Sequence, residues 1–395
     1  MRAPSVTQPS VRPYDVVLVH SSELFLKGKN RIRFSRRLLQ NLAAAFEALG
    51  TRDIQETMGK YLVPLLPGDD PDAVARLLAW VPGVETFAFA HRLPADFAAL
   101  QAFIARLAET QPPRTFGIRC RRAWKAFPLD SPAISRELGH TMVTHGWTVD
   151  LTAPELPVHV DVLPDSILVF FQQLRGPGGL PVGVSGRVVA LVSGGIDSPV
   201  AARLMAQRGC PVVYVHFHNV TVNAAGVQDK VRRIIRLLQA WQPASRLYLV
   251  PFGPLQRAII ITAPEDLRMI LYRRMMIRLA DRIADREHAQ ALVTGDSVGQ
   301  VASQTLENLH AIYTEARRPI LTPLIGLNKA QITDLAQQYG TYELSILPYG
   351  DCCAYLVGRH PQTRSRLEDI RAAEADGQFQ QLETAAFEAA EIVKV

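Results

Sequence analysis

Hydrophobic and polar positions change their period partway along the chain. From Tyr14 the pattern predicts a strand over 14–20, an amphipathic helix over 31–49, strands at 60–65 and 84–90, and a helix at 71–80. Leu, Phe and Ala spacing predicts a helix over 97–110, and Thr115–Cys120 alternates like a strand. Ser131–His145 is helical again, and 157–161 with 167–172 read as paired strands. This first part is α+β. Residues 176–183 then hold four glycines and two prolines, a composition that reads as a linker. Beyond it, short apolar runs alternate with helices: Val188–Val192, Val212–His216, a helix over 227–241, Leu247–Val250, a helix over Asp266–His288, and Ala291–Thr294. That grammar predicts a doubly wound parallel sheet with helices on both faces.

The 395 residues leave room for two or three domains. No run approaches the roughly 18 apolar residues of a membrane span, and the start lacks a signal peptide's apolar block. A cytoplasmic location without membrane contact is the expectation. The net charge of +6 is clustered. Lys27, Lys29, Arg31, Arg33, Arg36 and Arg37 form one basic run, and Arg119, Arg121, Arg122 and Lys125 another. Such clusters either neutralise nucleic-acid phosphates or are ordinary solvated faces. The four cysteines, Cys120, Cys210, Cys352 and Cys353, show no metal-ligand spacing and no disulfide framework, so thiols and no metal site are expected.

The most informative segment is Leu191-Val192-Ser193-Gly194-Gly195-Ile196-Asp197-Ser198-Pro199. It joins an apolar strand to a helix with proline in its first turn. Paired glycines let the backbone curl round an anion, helix-start N–H groups point at it, and Ser193 and Ser198 add hydroxyls. There is neither a Walker lysine nor a dinucleotide fingerprint. The segment resembles the pyrophosphate-binding loop of adenylating PP-loop ATPases, where the aspartate, here Asp197, helps organise phosphates and Mg²⁺.

Further strings narrow the resemblance. Leu26-Lys27-Gly28-Lys29-Asn30-Arg31, Gly178–Gly183, Val215-His216-Phe217-His218, Arg273–Met276, Thr294–Thr305 and Asp351-Cys352-Cys353 together resemble the ThiI-type 4-thiouridine synthetases, the tRNA sulfurtransferases. The resemblance implies a ferredoxin-like domain (1–67), a THUMP RNA-binding domain (68–173), a linker (174–186) and a PP-loop domain (187–395). It assigns ATP contacts to Leu191, Val192, Ser193, Gly194, Gly195, Asp197, Ser198, His216, Phe217, Arg273, Gly295 and Gln304. It places RNA contacts in the THUMP region, where Arg119, Arg121, Arg122, Trp124 and Lys125 mix cations with an aromatic ring, and in the basic N-terminal run with Lys27, Lys29 and Arg31. The sulfur-handling thiol falls at Cys352 or Cys353, with alignment on the preceding acid favouring Cys352.

Two departures stand out. Gly350 replaces the usual glutamate before Asp351-Cys352, and the sequence ends about forty residues after Cys353, so the short form without a rhodanese-like domain is expected. The implied activity is ATP-dependent adenylation of uridine 8 of tRNA followed by persulfide sulfur transfer. A cysteine desulfurase is the implied donor. Sulfur supply to a thiamine-thiazole carrier protein is a second family role, and a homodimer is a further expectation. An amide-forming PP-loop ligase and a nucleotide-regulated RNA-binding protein are the competing readings.

Overall fold

The computed structural model describes residues 13–23, 28, 30–219, 224–240, 242, 244–348, 362–375 and 379–395. The chain divides into two compact units, one running to Pro181 and the other from Val182.

The first unit begins with β1 (Val16–His20), α1 (Arg31–Phe46), β2 (Gln55–Thr57), β3 (Lys60–Pro64), α2 (Pro71–Leu78) and β4 (Thr86–Leu93). These six elements form a βαββαβ unit with strand order β2-β3-β1-β4, the ferredoxin-like arrangement. The break expected near residue 67 falls between β3 and α2, and the sheet takes in β4 beyond it. The chain continues through α3 (Phe97–Thr110), β5 (Thr115–Arg122), α4 (Ser131–Thr144), β6 (Thr148–Val149), β7 (Leu156–Val162), β8 (Ile167–Phe170) and β9 (Leu174–Arg175). The sheet extends as β4-β8-β7-β5-β6, with β5 parallel to both β6 and β7.

Local sequence accounts for these helices. Asp96 caps α3 by accepting the Ala99 N–H at 2.9 Å, and Asp130 caps α4 from Ala133 at 2.8 Å. Leu100, Phe103, Ile104 and Leu107 keep the three–four spacing that buries one face of α3 in the main core. The glycine-rich stretch departs from a free linker. Leu174–Arg175 pairs with β4, and Gly176 N–H donates to Glu85 O at 2.9 Å. Gly176 permits this approach because a Cβ there would sit 2.3 Å from Val84 O.

The second unit runs β10 (Val188–Leu191), α5 (Asp197–Gln207), β11 (Val212–His218), α6 (Ala224–Gln239), β12 (Arg246–Pro251), α7 (Gly253–Thr262) and α8 (Arg268–Arg286). Next come β13 (Ala291–Val293), α9 (Leu306–Tyr313), β14 (Ile320–Leu321), α10 (Lys329–Gln338) and α11 (Tyr342–Ser345). It closes with α12 (Leu367–Ala375), α13 (Phe379–Glu388) and β15 (Glu391–Lys394). The sheet order is β14-β13-β10-β11-β12-β15, parallel throughout except for β15. The Ala- and Glu-rich tail is helical to Glu388, beyond which Ile392-Val393 join the sheet edge antiparallel to β12. β-Branched residues between charged neighbours suit such an exposed edge. Arg274, 1% exposed, bonds Glu315 and Glu374, while Arg278 bonds Glu383, so ion pairs on α8 hold α12 and α13. Among the described residues no helix is long and apolar enough to cross a membrane.

In the first unit, Lys60 of β3 and Asp161 of β7 form a buried ion pair. His20, opposite Lys60 in the β1–β3 register, is pushed down to about 4. Burial is the main cause; the Lys60 and Arg121 cations add to it, and Asp161 opposes it. The unfolded chain takes up that proton at the ordinary 6.5, so this stability is complete above 6.5 and is lost as pH falls toward 4. The expected loss is at most about 3 kcal/mol. Urea melts above and below that window should show it in the wild type and not in His20→Gln.

Candidate nucleotide-binding site and nucleic-acid face

From β10 the chain moves to β11 and β12 on one side, then crosses over to β13 and β14 on the other. Open parallel sheets bind ligands outside their strand ends at such a reversal. A cavity of about 270 Å³ lies there.

Its floor is the turn between β10 and α5. Ser193 N–H donates to Ser198 Oγ at 2.9 Å, and Gly195 N–H donates to Ser193 Oγ at 3.1 Å. Both hydroxyl oxygens therefore shape the loop as acceptors, a role beyond the anion donors expected from sequence. Gly295, just after β13, lies against this turn: an added Cβ would be 2.7 Å from Ser198 N and 2.9 Å from Ser198 Cα. Sequence assigns this glycine to close approach of the nucleotide; in the structure it also admits the first turn of α5.

The carboxylates of two acid–base pairs line the cavity. Asp197, at the first position of α5, accepts from Lys329 Nζ at 2.6 Å and from Gln300 Nε2 at 2.8 Å. Asp296, 4% exposed, accepts from Arg273 Nη2 at 2.6 Å, Tyr313 OH at 2.6 Å, Thr294 Oγ1 at 2.7 Å and Gln304 Nε2 at 3.0 Å. Burial pushes the Asp296 carboxyl up, but the Arg273 charge and these donors outweigh it and hold it below the ordinary carboxylate value. The same contact, after burial, pushes the Tyr313 phenol up, so it stays a donor. Arg273 also donates to Ser303 O at 3.2 Å.

The opposite wall is apolar. Phe217 packs edge-on against Phe252, with ring centroids 5.6 Å apart, and Met269 and Met276 lie beside it. Such a wall suits a planar base. His216 Nδ1 lies 2.9 Å from Val192 O; a carbonyl only accepts, so this nitrogen carries the proton and the ring braces the β10 end.

Of the residues sequence assigns to ATP, all but Gly194 line this cavity. Arg273 faces it, whereas Arg274 turns into Glu315 and Glu374. Sequence reasoning missed Lys329, Gln300, Thr294, Asp296, Tyr313 and the two methionines. Asp296 and Gln300 sat inside a quoted motif without a role; Lys329 opens a helix far along the chain and carries no local signal. Among the described residues no cluster of three or more His, Cys, Asp or Glu could hold a metal ion. Cys352 and Cys353 lie outside the described residues.

In the first unit a cavity of about 530 Å³ is lined by His20, Arg119, Arg121, His159, Asp161 and Phe170, among others. His159 and Phe170 stack there, with ring centroids 4.9 Å apart and planes 9° from parallel. Arg119, Arg121 and Lys125 are exposed. Arg122, also assigned to RNA from sequence, donates from Nη1 to Phe127 O at 2.9 Å and Leu129 O at 3.2 Å, fixing the following loop. Trp124 packs against Phe127 and the core. Arg31 is half-buried at the start of α1, and Lys27 and Lys29 lie outside the described residues.

The fold and cavity define a PP-loop nucleotide-binding α/β domain preceded by a ferredoxin-like and THUMP α+β unit. The profile described as "Thiamine biosynthesis protein (ThiI)" matches residues 183–379; a ThiI ferredoxin-like domain matches 16–88 and a THUMP domain 94–172. A probable tRNA sulfurtransferase of Thermus thermophilus is 47% identical over 354 residues, 89% of this chain and 87% of that protein. Its counterpart in Moorella thermoacetica is 37% identical over 384 residues, 97% of this chain and 98% of that one. A crystal structure of a 4-thiouridine synthetase–RNA complex with bound ATP superposes with a TM-score of 0.88 at 32% identity, covering 97% of this chain and 100% of that chain. The chain belongs to the ThiI family of tRNA sulfurtransferases, as its motifs implied.

Gly295→Ala forces a methyl against the backbone of α5, which cannot yield as a side chain would. The expected cost is about 1–3 kcal/mol in stability. ATP binding should weaken by more than tenfold, measured by calorimetric titration alongside thermal melting.

Proposed function

We propose that this chain is an ATP-dependent tRNA sulfurtransferase that converts uridine 8 of tRNA to 4-thiouridine through an adenylated uridine. The observation that carries this reading is the cavity at the sheet reversal, where an anion-binding turn, an apolar wall and Arg273 converge. ATP lies with its base toward Phe217, Met269 and Met276 and its phosphates over Gly195–Ser198. Asp296 is committed to four donors, so Asp197 is the carboxylate that would take Mg²⁺, which usually binds one or two carboxylates together with substrate phosphates. That ion would neutralise phosphate charge.

The uridine O4 attacks the α-phosphate, pyrophosphate leaves, and the carbonyl oxygen becomes part of an AMP leaving group. Arg273, preorganised by Asp296, stabilises charge developing on the α-phosphate. The terminal sulfur of a cysteine persulfide on Cys352 or Cys353 attacks C4 and expels AMP. A second thiol then cleaves the S–S bond, releasing the thiouridine and leaving a disulfide. The persulfide comes from a cysteine desulfurase in the cytoplasm; the same thiol could serve the thiamine-thiazole carrier protein. The tRNA acceptor end docks on the first unit, where Arg119 and Arg121 flank the His159–Phe170 stack and offer cations and a stacking surface together. Dimerisation through the basic N-terminal half completes the reading.

The test is tRNA from a strain lacking this gene, complemented with wild type, Cys352→Ser or the double cysteine variant. Thiocarbonyl absorbance should return with wild type and not with the double variant, and Cys352→Ser should lose most of it. Normal thiouridine in the deletion strain would refute the tRNA role and leave an amide-forming ligase, which needs no thiol.

A further inference from the structure

Asp197 lines the nucleotide cavity and divides its two carboxylate oxygens between two partners. Oδ1 accepts from Lys329 Nζ at 2.6 Å, and Oδ2 accepts from Gln300 Nε2 at 2.8 Å. The partners are unlike. Lys329 carries a charge on a half-exposed, flexible stem, and a polyphosphate attracts it. The Gln300 amide is neutral, so a polyanion exerts no such pull on it. A carboxylate only accepts, so the amide must turn its NH2 group to Asp197. That leaves Gln300 Oε1 withdrawn from solvent with no donor among the described residues. A dry acceptor without a donor is unfavourable, so the contact with Asp197, and not the solvation of the glutamine, sets this orientation.

The backbone holds the two partners in one frame. The loop that carries Gln300 is closed on itself: Gly299 N–H donates to Gln304 O at 2.9 Å, Gln304 N–H to Val301 O at 2.9 Å, and Gln300 N–H to Ser297 O at 3.3 Å. It is also tied to the turn before α10. Val298 N–H donates to Ile325 O at 3.1 Å, and Ser297 Oγ donates to Leu327 O at 2.7 Å. Asn328 follows and caps α10 through a reciprocal pair with Gln331, and Lys329 is the first residue of that helix. Asp197 therefore meets a glutamine and a lysine whose main chains are bonded to each other's loops.

We infer that Gln300 is a positioning residue that makes the nucleotide site prefer Mg²⁺ to Ca²⁺, by keeping one oxygen of Asp197 occupied when Lys329 releases the other. The inference rests on the proposed role of Asp197 as the carboxylate that takes the divalent ion. Mg²⁺ demands a near-octahedral shell, keeps several of its waters and dehydrates reluctantly. Ca²⁺ takes more oxygen ligands in a looser shell and accepts both oxygens of one carboxylate. With Oδ2 already accepting an N–H, Asp197 offers an ion Oδ1 alone. That suits the smaller ion and denies the larger one its second contact. Without the amide, the carboxylate is free to turn and present both oxygens.

The experiment uses the full chain without tRNA and an ATP analogue whose α–β bridging oxygen is a methylene, so that nothing is cleaved. Calorimetric titrations are run in EDTA, in saturating Mg²⁺ and in saturating Ca²⁺, and thermal melting reports the fold. Wild type is compared with Gln300→Met, which keeps the length and removes the donor, with Gln300→Glu and with Asp197→Asn. Gln300→Met should bind the metal-free analogue as wild type does. Its ratio of affinity in Mg²⁺ to affinity in Ca²⁺ should fall about tenfold, the lower end of the loss when a metal ligand is deprived of its hydrogen-bond partner. Gln300→Glu, which sets a second carboxylate beside Asp197, should lower that ratio further. An unchanged ratio in Gln300→Met, with the Mg²⁺ gain lost in Asp197→Asn, overturns the inference and leaves Asp197 as the ion's carboxylate. Weaker binding in all three conditions together with a lowered Tm overturns it in favour of a brace for the loop. A full Mg²⁺ gain in Asp197→Asn removes the reading of Asp197 and the inference with it.

Discussion

The C-terminal unit depends on keeping one carboxylate charged inside protein. Withdrawing an ion like Asp296 from water costs on the order of several kcal/mol, which is tolerable only if its lone pairs meet good donors. Arg273 from α8, Tyr313 from α9, Thr294 from the end of β13 and Gln304 from the turn before α9 supply them. Four separate stretches must therefore converge before the carboxylate is satisfied. That convergence fixes one wall of the cavity, and it points the Arg273 guanidinium along a single direction. The cost of burying the acid is offset by a preorganised cation at the nucleotide cavity, the arrangement that the proposed adenylation calls for as charge develops.

The close contact of Gly295 with the first turn of α5 joins that wall to the floor. A side chain there would separate the two loops, and the anion-binding turn would lose its support. Ser193 and Ser198 work in the same sense, holding the turn curled through their acceptor oxygens before any ligand arrives. The floor and the charged wall are rigid for different reasons, backbone contact in one case and ion pairing in the other.

Much of this was legible in the residue order, and the limits have physical causes. The anion-binding turn is local: an apolar strand, two glycines and a helix start lie within nine residues, so type and spacing suffice. The alternating strands and helices beyond Val188 were legible because fully buried parallel strands are continuous apolar runs. β15 was not: four residues after a helix are too few to show a period, and their pairing with β12 is decided by the sheet edge. Lys329 was invisible because it meets Asp197 across 132 positions, and only the sheet reversal brings them together. The cavity of the first unit shows the same limit. Arg119 and Arg121 stood out as a charge run, but His20, His159 and Phe170 join them through the strand order. Arg122, equal to its neighbours as a letter, spends its Nη1 on two backbone carbonyls, because the two-residue period of β5 puts it on the face opposite Arg119 and Arg121.

The two acid–base pairs of the nucleotide cavity differ in what a ligand can do to them. Asp197 holds Lys329 at 2.6 Å, but the lysine side chain is about half exposed and sits on a flexible stem. Under the proposed function an incoming polyphosphate would draw that ammonium away and leave Asp197 for a divalent ion, at little cost because both groups are near water. Asp296 cannot make that exchange. Removing Arg273 would strand a buried carboxylate, so the guanidinium stays paired and reaches a phosphate only with donors it does not already spend on Asp296 or Ser303. On the proposed function, the exposed lysine pair is the one that opens as nucleotide binds, and the buried arginine pair is the one that stays closed.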